Sequence, residues 1–487
     1  MPGIVFGALA ALLIGAILAV PALTRDRRFG FDFSLRHSEV RCLRQGIDPF
    51  DVWSGKVHSK NFIRMKHNKK TPAQAFVHCY APWEYSFVWP LSLLPLRAAR
   101  AGMYALNSAC LLGLAAWTWR LVRRRHGGSR AAACAAILLA FGFNSLEWMS
   151  LLFCGNWGGV FAVALAMLAF ALERDDARRQ TASARGGGTR RGLASLRWQA
   201  LAGAALAVLM FKPQVGVLFV IPLALDNKWP ALFFSAGICL LASVPPALLC
   251  GKTPIELILE VGESAAAVYR GSALIPPRAQ QALMNARKLD ADAVMLISMA
   301  LGILLCSTLA FLQRRGKDWL AKLIPAALLA TMWTYSMEHD LCLWSVPAAW
   351  MLARAAGAGR TAETVETDVA TGTRARAHAW LWRGASLFAL LLGAVACYRT
   401  ASDWLTIAPQ YWRPFLMDAF PWTNVFNELP DAMKMREKGS GYEYKRVLFV
   451  LFAAYAATTA HAAARIRRHC AAKKATHNYG EKLVDSA

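Results

Sequence analysis

Apolar positions in this chain come in blocks, most of them about 20 residues and so long enough to cross a bilayer as a helix. Polar runs separate them. The blocks lie at 4–23, 100–121, 131–151, 156–172, 198–211, 213–225, 230–250, 293–312, 319–337, 340–355, 381–398 and 447–462. They predict an all-α polytopic membrane protein with about twelve transmembrane helices. The fifth and sixth blocks are short for full crossings and suit a re-entrant hairpin around Phe211-Lys212-Pro213-Gln214. The first block lacks a basic N-terminal region before it and is long in its apolar part, so it reads as an uncleaved span rather than a signal peptide.

Composition agrees. Charged residues make up 17% of the chain, against roughly 25% in soluble domains, which argues against a large soluble helical protein. The net charge of +25 raises the question of nucleic acid, but the basic residues sit in short loops between apolar blocks. That placement sets membrane orientation. No nucleic-acid partner is expected; the bilayer is.

The connection 120–130 carries Arg120, Arg123, Arg124, Arg125 and Arg130 with no acid, and 173–197 holds seven arginines. Arg314, Arg315 and Lys317 follow the eighth span, and the tail carries Arg465, Arg467, Arg468, Lys473 and Lys474. All fall on one face, which is therefore cytoplasmic. The opposite face receives the long connections 24–99, 251–292 and 399–446 and the turn Glu338-His339-Asp340. One stretch disagrees: Lys56, Lys60, Arg64, Lys66, Lys69 and Lys70 lie in the first outside loop. Long loops obey the orientation rule weakly. This stretch is a solvated basic loop or an attractor of phosphate head groups.

The expected organisation is a transmembrane core over 1–356, a cytoplasmic linker at 357–379, C-terminal spans over 380–464 with the outside loop 399–446, and a basic tail at 465–487. Eleven cysteines show no metal-type spacing. Cys42 and Cys79 share the first loop and are able to pair in an oxidising compartment.

Several groups have chemical potential. Residues Ser34 to Gln45 predict a short helix stopped by Gly46, with Leu35, Cys42 and Leu43 near one face suited to the membrane surface. Asp32 stands at its start, either as an N-cap or as a general base for an acceptor hydroxyl. Asp48-Pro49-Phe50-Asp51 reads as a structural turn. Tyr80-Ala81-Pro82-Trp83-Glu84-Tyr85 opens an aromatic, proline-broken segment, an interfacial belt or a pocket wall for sugar and isoprenoid. Lys212 lies between apolar stretches beside a proline; it either contacts a phosphate or snorkels to the interface. Tyr335-Ser336-Met337-Glu338-His339-Asp340 forms a polar interspan turn, where His339 is able to donate to phosphate or acceptor and Asp340 to orient it. No cofactor is required. A divalent cation finds no paired-carboxylate motif in the outside loops.

These pieces, in this order, resemble glycosyltransferase family 87: Asp32-Phe33, Gly46-Ile47-Asp48-Pro49-Phe50, Tyr80-Ala81-Pro82, Phe211-Lys212-Pro213-Gln214 and His339-Asp340-Leu341. The resemblance spans roughly residues 1–350 and implies the C-type integral-membrane glycosyltransferase architecture. It also implies a polyprenyl-phosphate-linked sugar donor, mannose-like at first guess, and a glycan or glycolipid acceptor. The site would lie on the extracytoplasmic face of a bacterial inner membrane. Asp32 takes the place of the base, with Glu39 in reserve; Lys212, Gln214, His339, Asp340, Tyr80 and Trp83 are expected around donor and phosphate. Two departures are the late motif, where relatives often begin with serine-proline, and the basic insert 56–70. Two other functions compete: a transporter or flippase for lipid-linked sugars, and an envelope polysaccharide ligase or polymerase built on Arg399, Tyr411, Trp412 and Arg413.

Overall fold

The computed structural model describes residues 31–53, 80–126, 155–184, 191–268, 291–314, 318–330 and 342–350, with 56, 57, 59, 131, 132, 134, 135, 138, 151, 316 and 353. The first span, most of the third, the basic run 60–70, Cys79, the turn holding His339 and Asp340, the linker, the loop 399–446, the last two spans and the tail lie outside the described residues.

Every regular element among the described residues is helical. In chain order they are α1 (Phe31–Leu43), α2 (Pro49–Trp53), α3 (Glu84–Ser92), α4 (Leu96–His126), α5 (Gly158–Ala184), α6 (Arg191–Leu209), α7 (Pro213–Gly216), α8 (Val220–Leu225), α9 (Trp229–Cys250), α10 (Pro254–Val268), α11 (Ala291–Gln313) and α12 (Trp319–Ala330). Two stretches, Trp229–Cys250 and Leu296–Gln313, are long and apolar enough to cross a bilayer on their own composition.

The helices outrun the apolar blocks. α4 continues through Arg120 and Arg123–Arg125 to His126, and α5 continues through 173–184. Both segments read as loops on charge alone. In α4 the run Arg123–Arg125 falls in the last turn, where positive charge is favoured beside the helix's negative end.

α9 shows how sequence marks its limits. Pro230 sits in its first turn, where a missing N–H costs nothing. Gly251 ends it in the left-handed conformation at φ 67°, with its N–H bonded to Leu248 O and that of Lys252 to Ala247 O. Inside it, Pro246 cannot donate to the carbonyl of Ala242. Ser86 of α3 supplies that bond instead, 2.5 Å from its Oγ. The proline thus anchors the first loop against the bundle.

α6 packs against both α5 and α9. A Cβ on Gly203 would stand 2.5 Å from Phe234 Cβ and 2.6 Å from Ala231 O, so glycine there lets α6 and α9 approach backbone to backbone.

α1 departs from expectation. It begins at Phe31 rather than Ser34, and Gly46 (φ 69°) closes the turn after it. It does not lie on a surface. Leu35, Cys42 and Leu43 are buried, and so are Ser34, Arg36, His37, Ser38 and Glu39. Asp32, Ser34, Arg36, His37 and Ser38 of this helix find partners within the protein, while Arg41 is exposed. Cys42 is a free thiol donating to Ser59 Oγ at 3.4 Å.

Candidate active site

Four separate stretches build one buried polar cluster: the start of α1, the 80–84 segment, the turn before α5, and the break after α6. The break comes first in the logic. Pro213 starts α7 and forces Lys212 out of the helical region, to φ −113° and ψ 92°. The carbonyl of Phe211 then lacks a helical donor, and Ala81 N–H supplies one at 2.7 Å. Broken helices survive at membrane depth when neighbouring groups re-satisfy the freed backbone. This bond brings Tyr80-Ala81-Pro82 against Phe211-Lys212-Pro213. Phe211 completes the join, 4.7 Å from the ring of Phe87 and 5.5 Å from that of Trp157.

Lys212 is 1% exposed, so it does not snorkel to the interface. Its Nζ lies 5.7 Å from the centre of the Tyr80 ring, and Arg36 Cζ lies 5.2 Å from the same ring. Two cations therefore share one aromatic neighbour. Arg36 Nη1 also bonds Glu39 Oε2 at 2.7 Å.

Asp32 sits in the first turn of α1, inside the helix rather than at its N-cap. Its Oδ2 accepts from Asn156 Nδ2 at 3.0 Å. Asn156 is reached by the tight turn at Gly155 (φ 71°) just before α5. The Tyr80 hydroxyl donates to Asn156 Oδ1, as does Trp157 N–H at 2.6 Å. Asn107 of α4 donates to the Asn156 carbonyl at 2.9 Å. Arg100 Nε donates to Ser34 Oγ at 2.8 Å, tying α4 to α1.

Glu84 opens α3 and is fully buried. The Trp157 indole N–H donates to its Oε1. Burial pushes its carboxyl up to about 8; the charges of Arg36 and Lys212 and the Trp157 bond oppose this without cancelling it.

Of the expected residues, the structure gathers Asp32, Tyr80 and Lys212, with Glu39 joined through Arg36. Trp83 is buried beside them in sequence, and Gln214 is half-buried in α7. His339 and Asp340 lie outside the described residues. Asp48 is structural: its Oδ1 accepts Phe50 N–H at 2.8 Å, and it pairs with Lys252, which also bonds Glu260 at 2.6 Å. Among the described residues no group of histidine, cysteine and carboxylate is arranged to hold a metal.

Sequence reasoning missed Arg36, Asn156 and Trp157, and took Glu84 only as part of the aromatic 80–85 segment. Glu84 was detectable as the one acid in an aromatic run entering the membrane. Asn156 carried the weaker signal of a polar side chain between a glycine and the next apolar block.

The model of glycosyltransferase family 87 matches residues 78–336, more than half of the chain. The chain belongs to glycosyltransferase family 87. The match covers Tyr80, Glu84, Asn156, Trp157 and Lys212; Asp32 precedes it, and His339 and Asp340 follow it. Comparison with curated proteins and with solved structures gives no match. Family membership makes this a membrane glycosyltransferase, a transferase that takes a sugar from a donor to an acceptor. It decides against the transporter reading.

Proposed function

We propose that this glycosyltransferase moves a sugar, mannose first among candidates, from a polyprenyl-phosphate donor to an envelope glycan or glycolipid. The reaction takes place at the extracytoplasmic face of a bacterial inner membrane. The observation that carries the reading is the gathering of Asp32, Tyr80 and Lys212 from three distant stretches into one cluster around Asn156. A general base and a phosphate-directed cation are the two groups such a transfer needs.

In this reading Asp32 takes the proton of the acceptor hydroxyl as its oxygen attacks the anomeric carbon. The new glycosidic bond forms as the bond from that carbon to the phosphate oxygen breaks, with inversion. Both electrons of the broken bond leave with the polyprenyl phosphate. Lys212 offsets the charge that develops there, with Gln214, His339 and Asp340 as further contacts and Tyr80 and Trp83 as walls for the sugar. Glu39 is a weaker base candidate, because Arg36 already engages it.

The orientation is supported by the ends of α5. Asn156 precedes the helix, while Asp175 lies about 26 Å along it at 1.5 Å per residue. The Asp32 cluster and the arginine-rich end of α5 are thus at opposite ends of the bundle, and arginine-rich ends are cytoplasmic.

The test is transfer by purified protein from a panel of polyprenyl-phosphate sugars, followed by product mass. Turnover with one of these donors supports the reading. Turnover only with a nucleotide sugar contradicts it.

A further inference from the structure

We infer that Asn156 is a positioning residue for the Asp32 carboxylate, an inference that rests on the base role proposed for Asp32. The orientation of its amide follows from its partners. The Tyr80 hydroxyl and the Trp157 backbone N–H both donate, so the side-chain atom they meet must be the oxygen. The other end of the amide is then the NH₂ group, and it points at Asp32 Oδ2 from 3.0 Å. Asn156 cannot flip without setting two donors against its NH₂ and its oxygen against a carboxylate.

The backbone beneath is fixed as well. Asn107 holds the Asn156 carbonyl, Gly155 N–H bonds Leu151 O at 2.8 Å, and Phe161 N–H bonds Trp157 O at 2.9 Å as α5 begins. Asn156 is 4% exposed. The side chain therefore has a single arrangement, and it transmits that arrangement to Asp32.

One consequence follows. A fixed donor on Oδ2 sets the plane of the carboxylate, and reaction rates are sensitive to errors of an ångström in such placement. The charged groups of the surrounding cluster are Arg36 and Glu39 on α1, Glu84 on α3, Arg100 on α4 and Lys212 at the break. These stay unchanged when only Asn156 is altered.

The experiment compares wild type, Asn156→Ala, Asn156→Asp and Asp32→Asn, using the donor that supports wild-type turnover. Asn156→Asp keeps the shape and the acceptor for Tyr80 and Trp157 but removes the donor. Both Asn156 variants are expected to lose about 100-fold in kcat, with the donor KM near wild type. Donor binding and thermal unfolding of Asn156→Asp confirm that it is folded. Wild-type kcat in either Asn156 variant, or a loss confined to the donor KM, overturns the inference while the base role stands. Retained turnover in Asp32→Asn removes the base role, and the inference with it.

Discussion

The indole N–H of Trp157 donates to one oxygen of Glu84, and the other oxygen of that carboxylate is buried with no hydrogen-bond partner among the described residues. A half-engaged carboxyl in a dry site favours its neutral form. Its pKa is raised from 4.5 to about 8 on folding. Below 4.5 the folded and unfolded states both hold the proton; between 4.5 and about 8 only the folded state does, so stability falls as pH rises through that window. Glu84→Gln keeps an acceptor for Trp157 and removes the titration. Its unfolding temperature should match wild type near pH 5 and exceed it near pH 8. Parallel pH dependence in the two proteins would show that Glu84 is not the group responsible.

Lys212 combines near-complete burial with a position over the Tyr80 ring. Lys212→Met fills similar volume without the charge, so the fold should survive. Turnover should fall by about 100-fold, the usual scale for removing one group that stabilises developing charge. Measured kcat/KM for the donor, beside a size-exclusion profile, checks this. An unchanged kcat/KM would leave Lys212 a structural cation.

Gly203 marks a close approach of α6 and α9. Gly203→Ala sets a methyl against the Ala231 carbonyl and Phe234, and backbone cannot step aside as a side chain can. The expected cost is about 1–3 kcal/mol, the range for overpacking a tight core, read as a lower unfolding temperature in detergent. A variant as stable as wild type would mean that the helices sit further apart.

At the other end of α5, Lys228 bonds both Asp175 (2.8 Å) and Asp176 (2.5 Å), and Trp319 Nε1 donates to Asp176 at 2.6 Å. Lys322 pairs with Asp226 and lies 4.6 Å from the Trp319 ring centre. This network ties α5, the α8–α9 turn and α12 together. Lys228→Met removes one cation from the buried Asp175 carboxylate, which keeps Arg179, Ser195 and Gln199 as partners, and should cost about 1–3 kcal/mol. Adding Asp175→Asn should recover part of that loss. Non-recovery, measured by thermal unfolding of both variants, would place the cost elsewhere than in the pair.

Among the described residues, helices were legible where apolar blocks ran long, because burial in lipid demands continuous apolar sequence. Their ends were not. Arg120–Arg125 and 173–184 read as loops by charge, yet both are helical, and in α4 the arginines of the last turn are favoured beside the helix's negative end. The Lys212 break was visible because proline restricts the residue before it. Its meeting with Ala81 was not, since one backbone hydrogen bond across 130 residues leaves no mark on either segment. Asp32 stood out by position, whereas Asn156, its partner, is an ordinary residue made special only by three donors and acceptors meeting it from α1, the Tyr80 loop and its own turn.

The most direct measurement is single-turnover sugar transfer by purified wild type and Asp32→Asn, with a polyprenyl-phosphate donor bound to both. Loss of transfer in Asp32→Asn, with donor binding and unfolding temperature preserved, is the predicted result. Transfer at the wild-type rate in that variant would contradict the assignment of Asp32 as the base.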